Sequence, residues 1–293
     1  MDVTPISPVT EQAISAETAV RRPRIRVQAG KGWTASLPEV WEQREVLYFL
    51  ILRNLKIRFR QTVLGAAWAV LYPLALMATF VLFAEKVIKI PSDGVPYPLF
   101  AFAALAPWGL FSQSLTIAAE SIVRDINLVS KLYVPRLLLP LASVAALLVD
   151  YLIALAILFV MMVLYSTTPD LTAVFWLPAL TLLALSLAFA IGVWFSALMV
   201  MYRDIRSVVP VLLQIWLFAT PVAYPSSLVP EQWRIVYGLN PMAGVVEGFR
   251  SALLGTPSPE SSMLAVSAAV TVLLLAGGLT YFRRVDRTFA DVI

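Results

Sequence analysis

Uncharged apolar stretches recur along the chain and are separated by short charged connections. A bilayer core is roughly 30 Å thick, so a helix needs about 20 apolar residues to cross it. Six stretches meet that length: Gln61–Ala84, Gly94–Ala119, Leu137–Pro169 (broken only by Asp150), Leu171–Tyr202, Ser207–Pro230 and Ser261–Phe282. The pattern therefore predicts an all-α integral membrane protein with six transmembrane helices in each chain.

The segment Pro38–Gln61, ahead of the first stretch, has an amphipathic pattern. Its apolar residues lie roughly along one side of a helix, and its cations gather near the end, at Arg53, Lys56, Arg58 and Arg60. This predicts an N-terminal amphipathic helix lying in the cytoplasmic membrane interface. A soluble amphipathic helix that packs on a cytoplasmic partner fits the same pattern. Residues 1–37 are polar and contain no apolar run of a signal peptide, so we expect a disordered cytoplasmic tail.

The segment Ser226–Pro259 fits neither a span nor an ordinary loop. It is too apolar for disorder, and Pro230, Gly238, Pro241 and Gly244 interrupt it too often for a span. Two short helices that re-enter the outer leaflet would bury its apolar residues, which requires cover from protein or a cavity. We therefore expect re-entrant outer gate helices between spans 5 and 6. A helical hairpin on the outer surface without a gating role is the alternative.

The distribution of Lys and Arg predicts the orientation of the spans. Of the 22 cations, 18 fall in residues 21–60, 124–136, 203–206 and 283–287, which alternate with the remaining four across an even number of spans. Cytoplasmic connections carry the excess of Lys and Arg. Both termini are therefore expected in the cytoplasm.

Composition narrows the possible chemistry. Hydrophobic residues make up 60% of the chain and charged residues only 14%, against about 25% charged in soluble domains. The chain has no Cys and no His, which excludes disulfides, thiol nucleophiles, His bases and Cys/His zinc sites. It also lacks the GxxxxGK[ST] loop that binds nucleotide phosphates. We therefore expect no enzyme activity, no cofactor or metal in this chain, and no binding of nucleic acid.

Two carboxylates, Glu120 and Asp150, lie in or near the predicted spans. An intramembrane carboxylate suggests function, but a structural role is equally open for both. Glu120 is four residues before Arg124, the spacing of a helical ion pair, and Asp150 has hydroxyl groups of neighbouring helices as candidate partners.

Aromatic residues are concentrated in the first and fifth stretches. Trp68, Tyr72 and Phe83 lie on a similar face of the first, and Trp216 and Tyr224 lie two turns apart in the fifth. Tyr and Trp combine a flat apolar face with a polar tip, which suits the C–H faces and hydroxyls of sugar rings. An interfacial aromatic belt is the alternative explanation.

Five collinear motifs show a family resemblance. They are QTVLGAAWAVLYPL (61–74), GVPYPLFAFAALAPW (94–108), NLVSKLYVPRLLLPLAS (127–143), MYRDIRSVVPVLLQIWLFATPVAYP (201–225) and NPMAGVVEGFR (240–250). From about residue 38 to its end, the chain resembles the permease subunits of type-2 ABC exporters for polysaccharides, above all those of O-antigen and lipopolysaccharide type. Teichoic acid and capsule exporters are relatives.

The resemblance implies a fold, partners and a location. Residues 62–293 would form a six-span permease domain that pairs as a homodimer in the bacterial cytoplasmic (inner) membrane. Two copies of a separate ATP-binding subunit would supply ATP and magnesium. The substrate would be a polysaccharide linked to polyprenyl diphosphate, moved from the cytoplasm to the outer side of the membrane.

The resemblance also implies roles for individual residues. First and fifth spans would face each other across the dimer, so Trp68, Tyr72, Phe83, Trp216 and Tyr224 become candidates for the substrate path. The other candidates are as follows: Arg53, Lys56, Arg58 and Arg60 for the lipid-diphosphate entrance; Arg124, Asp125, Lys131, Tyr133 and Arg136 for ATPase coupling; Trp233, Tyr237, Asn240, Glu247 and Arg250 for the outer gate. The same four entrance cations could instead hold the interface helix against anionic lipid headgroups.

Two other classes of function remain open. A membrane glycosyltransferase or lipid-phosphate enzyme would need clustered acidic or His residues in a loop, and the chain has neither. A type-2 ABC permease for a drug or other small molecule would share the topology but not the five motifs.

Overall fold

The structure is a computed structural model of the 293-residue chain. It describes residues 41–60, 67–131, 134–170, 172–230, 237–259 and 261–286. Every regular element in those ranges is helical, which confirms the prediction of an all-α protein. The predicted N-terminal tail, Tyr133 and Trp233 lie outside the described residues.

Ten α-helices follow one another along the described chain. They are α1 (Arg44–Arg60), α2 (Ala67–Phe80), α3 (Tyr97–Arg124), α4 (Ile126–Lys131), α5 (Leu138–Ala146), α6 (Leu148–Leu164), α7 (Ala173–Met201), α8 (Ile205–Ala219), α9 (Pro241–Leu254) and α10 (Ser261–Asp286). A π-helical turn, Val81–Val87, extends α2, and a 3-10 turn, Ser226–Leu228, precedes α9.

Five of the six predicted stretches contain a helix long and apolar enough to cross a membrane. These helical segments are Val70–Val87, Tyr97–Arg124, Leu138–Leu164, Ala173–Met201 and Ser261–Val285. The third consists of α5 and α6. They join at Leu147, whose backbone dihedrals (φ −77°, ψ −11°) stay in the right-handed helical region. Bounds read from the absence of charge therefore agree with the helices to within a few residues, except at the start of the first stretch.

The fifth stretch, Ser207–Pro230, is not one continuous helix. Its helix α8 has 15 residues, which span about 22 Å at the 1.5 Å rise of an α-helix. It ends at Ala219 because Thr220, in an extended conformation with ψ 143°, precedes Pro221. A proline disfavours the helical conformation of the residue before it, so the chain continues without helix toward Ser226.

Helix α3 forms the centre of the bundle. It packs most extensively against α7 and also contacts α2, α5, α6 and α9. Small residues allow the closest approach: a Cβ atom added at Gly192 of α7 would lie 2.6 Å from the Cβ of Ala118. Close backbone approach through small residues is the usual way that helices pack within a membrane.

Helix α1 packs on α5 through one apolar side. Leu50 is buried there, and Val46, Leu47 and Ile51 pack around it against Leu138 and its neighbours. The apolar residues predicted to share that side are divided, because Trp41 and Ile57 are exposed, as are Tyr48 and Phe49. The helix therefore has an apolar side that binds the rest of the chain and further apolar residues that face away from it.

Helix α9 is the described part of the segment predicted as gate helices. Asn240 caps its first turn by accepting a hydrogen bond from the amide of Met242, and Pro241 fits the first helical position. Gly255 ends it at φ +67°, a conformation that favours glycine. All its residues except Ser251 are buried, between α3, α7 and α10. Residues 231–236 lie outside the described residues.

Candidate functional site

Helix α2 and its π-helical extension present an exposed apolar stripe. Trp68, Leu71, Tyr72, Leu82 and Phe83 are each about half exposed or more. Trp68 lies three and four residues before Leu71 and Tyr72, so these three share one face of α2, and Leu82 and Phe83 are exposed on the π-helical extension. We call this set the aromatic stripe. It contains all three residues of the first span that were predicted for the substrate path.

Helix α8 presents a second exposed apolar face that does not include Trp216. The exposed residues are Val208, Val211, Ile215 and Phe218. Trp216 is partly buried, with its ring 5.1 Å from that of Phe111 in an edge-to-face arrangement. Its side chain therefore fixes α8 to α3, whereas the uncovered face of α8 is aliphatic with one phenylalanine.

Asn240 connects the end of α8 to the start of α9. Its Oδ1 accepts hydrogen bonds from Trp216 Nε1 at 2.9 Å and from the amide of Met242. Its Nδ2 donates to the carbonyl of Ala219 and to Thr220 Oγ1. One amide side chain thus satisfies groups left free where α8 ends and α9 begins.

Arg250 performs a similar task from the middle of α9. It is fully buried, and its guanidinium donates to the carbonyls of Phe100, Pro221, Val222 and Tyr224. Three of these carbonyls belong to the non-helical segment after Thr220, which has no helical partners of its own. The five donors of a guanidinium in a rigid fork suit such a set of acceptors.

Glu247 balances the charge of Arg250 across a distance of 3.3 Å. It also accepts a hydrogen bond from the amide of Ser226. Burial raises the pKa of Glu247, and Arg250 opposes that effect. Burial also lowers the pKa of Arg250 to about 10. We call Asn240, Glu247 and Arg250 the α9 network.

The hydroxyls of two tyrosines lie close to this network. Tyr237 donates to Tyr224, which donates to the carbonyl of Phe218, and burial raises the pKa of Tyr237. A cavity of about 400 Å³ lies beside them and is lined in part by Asp93, Ser226 and Glu247. The described residues predicted for the outer gate are therefore brought together, and Tyr224, predicted for the path, joins them.

A second cavity lies beside the middle of α3. It has a volume of about 340 Å³ and is bounded by the end of α1, by α2, by the middle of α3 and by the start of α6. Trp68, Tyr72 and Trp108 supply aromatic surface, and Arg58, Gln113 and Asp150 supply polar groups. We call it the α2–α6 cavity.

Arg58 and Asp150 form an ion pair in the wall of this cavity. Arg58 also donates to Gln113 Oε1 at 2.8 Å. Asp150 is 8% exposed, and its expected hydroxyl partners are replaced by the guanidinium of α1. A cation already paired with a carboxylate attracts a further anion less strongly, so the structure gives Arg58 a partner other than lipid diphosphate.

Two of the remaining residues predicted for the entrance and for coupling, Arg53 and Arg124, lie near Asp125. Arg53 Nη2 is 2.5 Å from Asp125 Oδ1, while Arg124 donates to Ser143 and lies 3.8 Å from Asp125. Lys56 is exposed, and Arg136 lies half-buried in the turn before α5. The side chains of Arg60 and Lys131 are not among those that the structure describes.

Glu120 has a different partner from the one predicted. Its Oε1 accepts a hydrogen bond from Arg206 Nε at 3.2 Å, so the predicted pair with Arg124 is wrong. Arg124 points instead toward Ser143 on α5. The observed pair joins α3 to α8 near the end of the bundle that carries α1.

Several residues of these sites were not identified from the sequence. Phe100 contributes a carbonyl and a ring to Arg250, and Trp108, Gln113 and Tyr151 line the α2–α6 cavity. Gln113 had one local signal, an amide side chain in an apolar span. The others look like ordinary apolar or interfacial residues of a span, and only the packing of helices brings them to a site.

Comparison with known proteins gives consistent matches along most of the chain. Residues 45–254 match the family described as ABC-2 type transporter. The chain is 30% identical to "O-antigen export system permease protein RfbA" of Myxococcus xanthus, over 87% of this chain and 98% of that protein. It is 25% identical to the protein of the same name from Klebsiella pneumoniae, over 85% and 95%. "Polysialic acid transport protein KpsM" of Escherichia coli is 26% identical over 82% and 93%.

Proposed function

The chain belongs to the ABC-2 type transporter family, and from that premise we propose that it is the permease subunit of an ATP-driven polysaccharide exporter. O-antigen linked to polyprenyl diphosphate is the foremost substrate. The observation that carries the proposal is the similarity to an O-antigen export permease over 98% of that protein's length. A similarity that extends over nearly the whole relative includes its connections as well as its spans.

The topology that we propose has six spans. Helix α8 is the fifth span, with the non-helical segment after Thr220 completing its crossing under cover of α9. The arrangement of Arg250 and Asn240 supports this, because irregular backbone at membrane depth needs internal hydrogen-bond partners. The bias of Lys and Arg supports a cytoplasmic location for both termini and for α1 in this topology, and the membrane in the proposal is the bacterial inner membrane.

The active assembly in this proposal is a homodimer in which α2 and α8 of the two copies face each other. Two observations support it. The aromatic stripe and the exposed face of α8 are left uncovered, and α8 contacts its own chain only sparsely, through α3 and α7. Trp68, Tyr72 and Phe83 then line the conduit. Trp216 and Tyr224 hold the wall of the conduit through their hydrogen bonds.

The ATP-binding subunit, in two copies, docks at the connection between α3 and α5. Helix α4 is short and lies at the end of the bundle that carries α1, and the Arg53–Asp125 ion pair ties this connection to α1. Displacement of α4 by the ATPase would therefore move α1, which also reaches Asp150 through Arg58, five residues after Arg53. Hydrolysis of ATP takes place in the partner, with its magnesium.

The α9 network belongs, in this proposal, to the outer gate. Helix α9 re-enters from the outer side without spanning, and its buried side chains hold the end of α8. If α8 moves during export, either the hydrogen bonds from Arg250 and Asn240 break and re-form, or α9 moves together with α8. Tyr237 and Glu247 then border the outer exit of the conduit.

The test is deletion of the gene followed by analysis of surface glycan. We expect long-chain O-antigen to disappear from the surface, with polymer accumulating in the cytoplasm, and plasmid-borne wild-type chain to restore export. Pull-down of the chain should recover an ATP-binding subunit. An unchanged surface glycan in the deletion strain would contradict the proposal.

A capsular polymer is the second candidate substrate, because polysialic acid transport proteins are also similar along most of the chain. Glycan analysis of the same deletion strain separates the two. Loss of an acidic capsule with intact lipopolysaccharide would favour the second candidate.

A further inference from the structure

We propose that the α2–α6 cavity within each protomer is a binding site for one neutral sugar unit of the transported polymer. The inference rests on the proposed function and adds a site, a ligand chemistry and a recognition residue to it. The site is distinct from the conduit between two copies, because α1, α2, α3 and α6 of a single chain form its walls.

The wall of the cavity contains a buried hydrogen-bond acceptor that lacks a donor among the described residues. Asp150 pairs with Arg58 through Oδ2, but its Oδ1 is buried and receives no hydrogen bond from the residues that the structure describes. A buried carboxylate oxygen left without a donor destabilises the folded protein. A hydroxyl group entering the cavity would supply that donor. Gln113, whose Oε1 is taken by Arg58, keeps its amide donors for a ligand oxygen.

The lining of the cavity combines aromatic and polar surface. Trp68 and Tyr72 line the cavity from α2, and Trp108 lines it from α3. Flat apolar faces next to fixed hydrogen-bonding groups suit a ring that has C–H faces and hydroxyl edges. The volume of about 340 Å³ lies at the small end of the range of roughly 300–1,000 Å³ for small-molecule pockets, which fits a sugar unit.

The charged groups in the cavity wall balance each other. Arg58 and Asp150 compensate each other, so the cavity offers no net positive charge to a diphosphate or to an acidic sugar. The free oxygen of Asp150 would repel either anion in a site of low dielectric. The chemistry therefore selects a neutral hydroxylated ring. It also accounts for Trp68 and Tyr72 being exposed on the aromatic stripe, since a sugar in the conduit can reach the cavity between them.

The site can be tested by photo-cross-linking in cells that export the polymer. A benzoylphenylalanine replaces Ser112, which lines the cavity, and in separate strains replaces Val163 on α6 or Phe218 on α8, both exposed. We expect a glycan-bearing adduct at Ser112 and none at Val163. Blocking synthesis of the polymer should abolish the adduct; an adduct that persists would come from membrane glycolipid and would overturn the proposal.

Two substitutions test Asp150 and Gln113, the residues proposed to form hydrogen bonds with the sugar. Asp150→Asn and Gln113→Leu should each lower the yield of the Ser112 adduct about tenfold, the loss expected for one hydrogen bond to a charged or buried group. The variant Glu120→Gln, which changes a half-buried carboxylate outside the cavity lining, is the matched control and should leave the yield unchanged. Immunoblots of membrane fractions establish that each variant accumulates. If Asp150→Asn does not accumulate, Gln113→Leu alone tests the site.

The outcomes separate the site from the function. Adducts at Phe218 with none at Ser112 would remove the cavity site and leave polysaccharide export standing. Surface glycan that does not depend on the chain would remove the proposed function instead. Adduct yields at Ser112 that are equal in wild type and in both variants would also overturn the cavity site.

Discussion

The guanidinium of Arg250 lies 3.5 Å from the centre of the Phe100 ring while its Nε donates to the carbonyl of the same residue. Phe100 on α3 thus contacts Arg250 by its side chain and its backbone together. A cation over an aromatic face gains electrostatic stabilisation that increases on burial. The pair joins α9 to the central helix of the bundle, and it does so where the chain after α8 has lost its helical hydrogen bonds.

Replacement of Arg250 should strongly destabilise the protein. We expect Arg250→Ala to lower the free energy of unfolding by about 3–5 kcal/mol, because it leaves Glu247 unpaired and four carbonyls without a donor. Arg250→Lys should recover little of this, since an ammonium cannot reproduce the fork. Thermal unfolding in detergent measures the effect. Arg206→Ala, at an exposed ion pair, is the control and should cost at most about 1 kcal/mol.

Asn240 should show two separable contributions. Asn240→Asp keeps the cap of α9 but removes the donors to Ala219 and Thr220, whereas Asn240→Ala removes both. We expect Asn240→Ala to cost about 2 kcal/mol and Asn240→Asp less than that. Unfolding midpoints of the two variants and of wild type provide the comparison. Equal midpoints for Asn240→Asp and wild type would mean that the amide donors do not stabilise the end of α8.

Tyr72 and Trp216 should differ in what their loss affects. Tyr72→Ala is expected to reduce surface polysaccharide while the unfolding temperature stays close to that of wild type, because the side chain is exposed. Trp216→Ala is expected to cost about 3 kcal/mol, since it removes packing on Phe111 and the bond to Asn240. Lipopolysaccharide gels measure the surface polysaccharide, and thermal unfolding measures the stability of each variant. Unchanged export in Tyr72→Ala would argue against the aromatic stripe as substrate path.

The Arg53–Asp125 pair should couple energetically by about 1 kcal/mol. Its side chains are 30% and 13% exposed, so solvent screens the interaction only in part. A double-mutant cycle of Arg53→Ala and Asp125→Ala isolates this coupling from the effects of the single changes. The charge reversal Arg53→Asp with Asp125→Arg should restore transport that either reversal alone reduces, and failure of this rescue would count against a tie between α1 and α4.

The raised pKa of Glu247 predicts a dependence of stability on pH. The folded state holds its proton more tightly than the unfolded state, whose pKa is near 4.5. Its contribution to stability is therefore full below pH 4.5 and declines as the pH rises through the folded-state pKa. Arg250, Asp93 and Tyr237 surround the group. Unfolding temperatures measured across that range should decline less steeply for Glu247→Gln than for wild type, and parallel curves would contradict the assignment.

Local patterns in the sequence predicted the helices better than they predicted the contacts between helices. The absence of charge over stretches of 20 or more residues identified the spans, because lipid tolerates little else. Asn240-Pro241 and Gly255 delimit α9 in the way that caps usually do. Pro221 carried the signal that ends α8, but the apolar run through it suggested a longer span.

Contacts between distant parts of the chain could not be predicted. Glu120 was expected to pair with Arg124 four residues later, yet its actual partner is Arg206, 86 residues away. Likewise Arg58 of α1 reaches Asp150 of α6. Such pairs depend on how helices rotate and cross, which the periodicity of one sequence leaves undetermined. The α2–α6 cavity depends on four separate elements for the same reason.

The dependence of the chain after Thr220 on Arg250 has a consequence for the biogenesis of the protein. Pro221 and Arg250 are 29 residues apart, so the carbonyls after α8 have no guanidinium to bind when they first leave the ribosome. Exposed to lipid, each would be costly. In the proposed six-span topology, α8 would therefore need a wet or protein-lined site until α9 has been synthesised, and the two helices would enter the bilayer as one unit.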